Sequence, residues 1–514
     1  MKKIHYKIAL MFAISTMSVF SCKKDFLDQI PTSTLTELTY YKTIPELETG
    51  LVSCYAALQS STFELDQWVI EDIGSDDADK GSTPNDMADF TDISYSRQKS
   101  STWETNYIWT DCYYIIGRCN KVIDKSAGTE GAAEEIEKIV DQAKFLRALC
   151  FYHLVIYFGD VPLVNKFLNP DELNLKRAPA ADVWAQIESD LNDATNLPTK
   201  SEWNQSGRIT SGAAWSLLGK VYLTEKKYEL ANNAFDKVVQ SGQYSLVPDY
   251  GFIYRHEGEN CEESVFEIQH DNRIHDGYMG TTWGNIWRMP RDDGNDGWGF
   301  DCPTKDLLDE FEPGDPRIIY TFMFPGDEFP GREEGSIYTV VNNWSPTGYN
   351  CRKVWMPWSE RANLDWFNYD MNCRYMRYAE IFLLYAESLN EVNQPATALT
   401  LLNQVRSRAR NTPTTDPQRI SCAADLSYTG PLLPDVTTTN RSELRKAIWH
   451  EQRVELAIEG LRRASLLRTD RFKERMETAK AYAGVTVEPH ELLLPIFQQE
   501  IELSNHVLIQ NPGY

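Results

Sequence analysis

Beyond residue 20 the sequence has no apolar run long enough to cross a bilayer, which takes about 20 residues. It lacks any C-x-x-C pair, so its scattered cysteines do not read as a zinc cluster. H-E-x-x-H, G-x-S-x-G, G-x-x-x-x-G-K-[ST] and G-x-G-x-x-G are also missing, which removes the common hydrolase, NTPase and dinucleotide signatures. Positive charge is short: 51 Lys and Arg stand against 75 Asp and Glu, a net charge of −24. That balance argues against nucleic acid, and against an anionic lipid surface as an electrostatic partner.

What the chain has is length and aromatic rings. Its 514 residues suit two to four domains or one large repeat-based body. Hydrophobic residues at 42% and aromatic residues at 12% fit a globular fold, and the 14 Trp and 26 Tyr exceed what a core usually needs.

Residues 1–21 read as a targeting segment. Lys2, Lys3 and Lys7 precede a short apolar run, which ends in Val19-Phe20-Ser21-Cys22. That ending resembles a bacterial lipobox, with cleavage before Cys22 and lipid on its sulfur. Val19 is an accepted variant at its position, and Phe20 is a less usual one. The following Lys23-Lys24-Asp25 resembles the surface-export signal of Bacteroidetes lipoproteins. Nine cysteines lie beyond Cys22, an odd count that allows disulfides and leaves at least one free thiol.

Helical periodicity covers most of the rest. Pro45 opens one helix, and residues 103–122 form another with Trp103, Tyr107, Ile108, Cys112, Ile115 and Cys119 on one apolar stripe. Residues 134–158 follow, with Gly159 as C-cap. Another helix runs to Asn196. Between the first two helices, the polar stretch 74–86 reads as a loop of the kind that carries binding function.

Residues 215–235 match the tetratricopeptide pattern at Trp215, Leu218, Gly219, Tyr222, Ala231 and Phe235. Small residues let two antiparallel helices approach, and the large ones fill the seam. Ala386 and Ala398 repeat the Gly219–Ala231 spacing after a stretch rich in Gly, Pro, Trp, Tyr and Asp. A final long helix is read through Ile448, Val454, Leu456, Ile458 and Leu461, with Gly460 at its end. The fold expected is mainly α: tetratricopeptide-like helical repeats with a large irregular, aromatic-rich insert containing short strands. Its parts are 22–247, the insert 248–372 and 373–514.

Three stretches carry a resemblance: Y-F-G-D-V-P-L-V at 157–164, E-Q-R-V-E-L-A-I-E-G-L-R-R at 451–463, and the terminal P-I-F-Q-Q-E-I…L-I-Q-N-P-G-Y. Together they resemble the SusD/RagB family of Bacteroidetes outer-membrane lipoproteins, across essentially the whole mature chain. Ile458 and Phe497 depart from the family's frequent Phe and Pro. The resemblance implies a lipid-anchored protein on the cell exterior that captures oligosaccharides without catalysis. It also implies a SusC-like TonB-dependent transporter as partner. Capture of peptides, as in the RagB branch, and an adaptor role without a small ligand are the alternatives.

No family motif marks the ligand contacts one by one, so candidates come from residue chemistry. Tyr278, Trp283, Trp287 and Trp298 cluster without helical spacing among Gly, Asn, Arg and Asp. Aromatic faces pack on the C–H faces of pyranoses while polar neighbours bind the hydroxyls. The resemblance implies glycan contacts from the loops after the first helix and from the insert, which adds Asp76, Asp77 and Tyr95 as regional candidates; Trp344, Trp355, Trp358 and Trp366 form a second, weaker cluster. Asp76/Asp77 and Asp292/Asp293 are the carboxylate pairs a glycosidase would use, but adjacent residues seldom flank one bond from opposite sides. Residues 292–297 start like a calcium loop and then depart from it, with Gly294 at a ligand position and Pro303 where the closing Glu belongs. A polar turn is the plainer reading, calcium of another geometry stays open, and no other cofactor is implied.

Overall fold

A computed structural model describes residues 40–60, 62–63, 67–271, 284–291, 297–341, 344–361 and 369–514. Helix α1 (Ile44–Ala57) carries Pro45 in its first turn as expected, and a turn at Val69–Ile73 leads to strand β1 (Ala78–Gly81) and helix α2 (Ala88–Ser94). The long antiparallel pair α3 (Trp103–Ser126) and α4 (Ala133–Phe158) comes next, then α5 (Ala180–Ala194) and the hairpin α6 (Ser211–Thr224) and α7 (Tyr228–Gln240). Strand β2 (Ser264–Ile268) opens the irregular part. It holds a one-turn helix Gly284–Arg288, β3 (Phe300–Pro303), β4 (Phe322–Met323), β5 (Glu328–Pro330), β6 (Ile337–Thr339) and β7 (Asn350–Cys351). Strand β8 (Cys373–Arg377) runs into α8 (Tyr378–Glu391), α9 (Pro395–Asn411), α10 (Arg441–Glu455), α11 (Arg462–Arg468) and α12 (Phe472–Ala479).

The repeat is built as its residues dictate. A Cβ on Gly219 would stand 2.4 Å from the Phe235 ring, so only glycine lets α6 and α7 close on each other. Ala231, Leu218 and Phe235 are buried in that seam, while Trp215 is only half-buried. The second hairpin, α8 and α9, buries Ala386, Ala398, Leu402 and Val405. It stacks directly on the first: Ser388 Oγ donates to Asn232 Oδ1 at 2.5 Å, and the Phe235 and Tyr385 rings lie 6.3 Å apart. The insert leaves and returns through one antiparallel pair, β2 with β8, so the chain re-enters the helical stack where it left. Helix α4 stops at Gly159 (φ +72°), the expected C-cap.

Two readings are corrected. Segment 74–82 is no surface loop, because its residues are buried and β1 pairs with β3. The helix expected to run to Gly460 ends at Glu455, and Ile458 turns to φ +58°. It ends there because its acids are drawn into an ionic core. Glu455 receives Arg377 at 2.7 Å and Arg317 at 2.9 Å, and Glu459 receives Arg377 at 2.7 Å and Lys353 at 2.6 Å. Burial alone would raise the Glu455 carboxyl, but Arg408, Arg377 and Arg317 outweigh it and hold it well below the usual range. All nine cysteines among the described residues are free thiols, in keeping with the free thiol that their odd count requires. Cys112 and Cys119 do share the buried face of α3, as their spacing predicts.

Candidate functional site

The β1–β3 ribbon sets out the site. Asp79 pairs with Cys302 and Gly81 with Phe300. Gly81 (φ +73°) cannot carry a side chain, since a Cβ would sit 2.2 Å from the Gly299 carbonyl oxygen. Ser82 N–H then donates to that same oxygen at 2.7 Å and turns the chain outward. Arg291 Nη1 donates to Ser82 Oγ at 2.6 Å and to Asp86 Oδ2 at 2.5 Å, while Ser82 Oγ donates to Asp86 at 2.9 Å. The Arg291 guanidinium lies 5.8 Å from the ring of Trp344, which is 43% exposed. An open indole face thus stands beside a guanidinium, a carboxylate and a hydroxyl already ordered by one another.

Successive strand residues point to opposite sides, so Asp79 organises the other flank. It accepts from Ser94 Oγ at 3.1 Å and from the Tyr482 hydroxyl, with Lys480 at 3.5 Å. Burial, then Asp79, raises the Tyr482 phenol, so the hydroxyl stays a donor and fixes a ring that is 66% exposed. Tyr95 lies half-buried against the small core of Leu466, Phe472 and Met476, with the Arg97 guanidinium 5.4 Å from its ring.

The other candidates fall elsewhere. Asp76 and Asp77 are inside: Asp76 meets Arg462 and Arg475 at 2.8 Å and Arg453 at 3.2 Å, and Asp77 meets Arg453 at 2.8 Å. Burial would raise Asp76, but Arg462, Arg453 and Arg475 outweigh it and hold it well below the usual carboxylate range. These carboxylates clamp the β1 segment to α10, α11 and α12 and have no face left for a ligand. Trp287 is buried, edge-on to Trp298 with centroids 4.5 Å apart and 5.2 Å from Phe300. Trp298 is half-buried on the same cluster, which forms the floor beneath the ribbon. Trp355 and Trp358 are also interior. Cys22, Tyr278, Trp283, Asp292, Asp293 and Trp366 lie outside the described residues.

Trp344, from the cluster given less weight, is the exposed candidate tryptophan among the described residues; Arg291, Asp86 and Tyr482 were not singled out at all. A signal was present. Trp344 is flanked by Asn342, Asn343, Ser345 and Pro346, whereas Trp355 sits between Val354 and Met356. Among the described residues no His, Cys, Asp or Glu cluster is arranged to hold a metal ion, and no helix is long and apolar enough to cross a membrane. The ordered Arg–Asp pair beside an open ring suits reversible capture of a polyhydroxylated ligand.

Comparison with known proteins bears on the whole chain. The family described as "SusD family" matches residues 262–514, and that described as "Starch-binding associating with outer membrane" matches residues 25–223. "SusD-like protein P25" of Formosa agariphila is 24% identical over 550 residues, with all of both chains covered. "Starch-binding protein SusD" of Bacteroides thetaiotaomicron is 25% identical over 227 residues, covering 41% of this chain and 40% of that protein. A solved "Laminarin binding SusD-like protein" is 28% identical with a TM-score of 0.74, and covers 92% of this chain and 100% of its own. Surface glycan-binding protein A from Bacteroides thetaiotaomicron, solved in complex with laminarihexaose, is 21% identical at the same TM-score over 91% of this chain, a likeness of fold. The chain belongs to the SusD/RagB family.

Proposed function

We propose that this protein is an outer-membrane lipoprotein, anchored through Cys22 and facing the cell exterior. It captures oligosaccharides on the surface flanking β1 and passes them to a SusC-like TonB-dependent transporter. Capture is reversible and breaks no bond. The observation that carries this reading is Trp344, an exposed indole held beside Arg291, Asp86 and Ser82. A pyranose would lay its C–H face on the indole while guanidinium and carboxylate bind its hydroxyls. Tyr482 and Tyr95, on the other side of the ribbon, supply a second aromatic stop for a longer chain. Family membership supports the glycan class, and the similar laminarin-binding protein names one glycan to try first.

The test is affinity electrophoresis of the protein without residues 1–22 through gels containing a panel of polysaccharides. Retardation by at least one glycan, lost in Trp344→Ala and in Arg291→Ala, is the expected result. Unaltered retardation of Trp344→Ala moves the site elsewhere. No retardation by any polysaccharide, with binding of a peptide library, replaces glycan capture by peptide capture.

A further inference from the structure

Helix α3 carries an exposed strip that glycan capture leaves unused. Trp103, Tyr107, Thr110, Tyr114, Gly117 and Lys121 follow alternating steps of four and three, so they share one face. Trp103 and Tyr107 were expected on the apolar stripe, yet they are 49% and 40% exposed, and Tyr114 is 55% exposed, because Ile108, Cys112, Ile115 and Cys119 already fill the buried face. Beside them runs an apolar groove of about 560 Å³, edged by Leu173, Leu503 and Leu508. Leu173 and Leu503 are both exposed. A Cβ on Gly117 would meet nothing within 4 Å, so no packing requires this glycine, a residue unfavourable in a helix interior.

We propose that this strip rests on a lipid bilayer. The basic groups around it are engaged within the chain: the Arg118 guanidinium lies 4.4 Å from the Tyr114 ring, the Lys121 ammonium 5.0 Å from the Phe167 ring, and Lys166 pairs with Glu172 at 2.6 Å. Apolar contact is what remains to offer, and amphipathic Trp and Tyr with exposed leucines are the chemistry of a membrane interface. This contact needs no anionic headgroup, in keeping with the acidic chain. Position agrees. The described chain begins beside the C-terminal end of α3, where Tyr41 O accepts from Thr129 Oγ1 at 2.9 Å and Lys42 O from Glu130 N–H at 2.8 Å. The chain from Cys22 to Tyr40 reaches at most about 60 Å, and the strip extends about 27 Å along the helix. A bilayer holding the lipid on Cys22 is therefore within reach of the whole strip.

The inference rests on the lipid-anchor reading, and the experiment separates the two. Mature lipidated protein is reconstituted into phosphatidylcholine vesicles with brominated acyl chains, and its tryptophan emission is compared with that of Trp103→Phe. The expected result is a loss of emission in the wild-type protein that Trp103→Phe lacks. In a Tyr114→Ser, Leu503→Ser double variant that quenching falls at least threefold. Equal quenching of wild type and Trp103→Phe on vesicles that retain the protein overturns the strip contact alone. So does a wild-type protein quenched no more than Trp103→Phe whose Trp103 is shielded from aqueous iodide only when a transporter is present, which assigns the strip to a protein. Failure of the protein to float with the vesicles overturns the anchor and the contact with it.

Discussion

Trp344 and Trp355 sit in one stretch of sequence and do opposite work. Trp355 is fully buried, its ring tilted against Phe329 with centroids 4.4 Å apart and flanked by the Arg352 and Arg361 guanidinium groups. Trp355→Ala is expected to cost about 3–5 kcal/mol in urea unfolding, whereas Trp344→Ala stays within about 0.5 kcal/mol of wild type. In glycan titration the order reverses, with Trp344→Ala losing about 1.5–3 kcal/mol of binding. Glu104 makes a second residue-scale test. Burial lifts its carboxyl to about 7, and its Oε2 has no hydrogen-bond partner. A raised carboxyl stabilises the fold fully below its ordinary value of 4.5, and that stability is lost as pH rises through about 7. Glu104→Gln should therefore gain up to about 3 kcal/mol over wild type at pH 8 and little at pH 4.5, read by chemical denaturation at the two pH values.

At the scale of elements, the helices were legible because each buries an apolar stripe that the sequence states locally. Gly219 even declared its partner, and Gly219→Ala should cost about 1–3 kcal/mol through the clash with Phe235, with part recovered in Gly219→Ala, Phe235→Leu. The β1 segment was not legible. Ser75-Asp76-Asp77-Ala78-Asp79 reads as solvated until Arg453, Arg462, Arg475 and Lys480 are known to surround it, and those lie at the far end of the chain. A second long-range pairing, of Glu455 and Glu459 with Arg317, Arg377 and Lys353, cut α10 short of Gly460. Asp76→Asn leaves arginines without their counter-charge and should destabilise by about 3–5 kcal/mol, seen as a lower urea midpoint. The neighbouring His450 cluster gives a pH signature. Burial opposes ionisation, but Glu310 and Glu312 hold His450 at about 9, a contribution complete below 6.5 and lost as pH rises through 9. Replacing His450 by Gln should flatten the alkaline fall in stability between pH 7 and 9.5.

For the whole molecule, the repeats form one stack although the insert separates them in sequence, because β2 and β8 return the chain to its point of departure. Sequence periodicity showed that both hairpins exist; their contact depends on Ser388 meeting Asn232, which no local pattern announces. The candidate site was legible in kind, as aromatic rings among polar residues, and not in position. Ring exposure is decided by what the rest of the fold leaves uncovered: Trp287 was covered by Phe90 and Phe300, and Trp344 was not. The ribbon that carries the site is fixed by the ionic clamp below it, so capture and fold meet at β1. The most direct test of glycan capture there is titration of the retarding glycan against wild-type protein, Trp344→Ala and Arg291→Ala, each checked for an unchanged urea midpoint. The account expects at least tenfold weaker binding in both variants with stability preserved. Wild-type affinity in Trp344→Ala would contradict it.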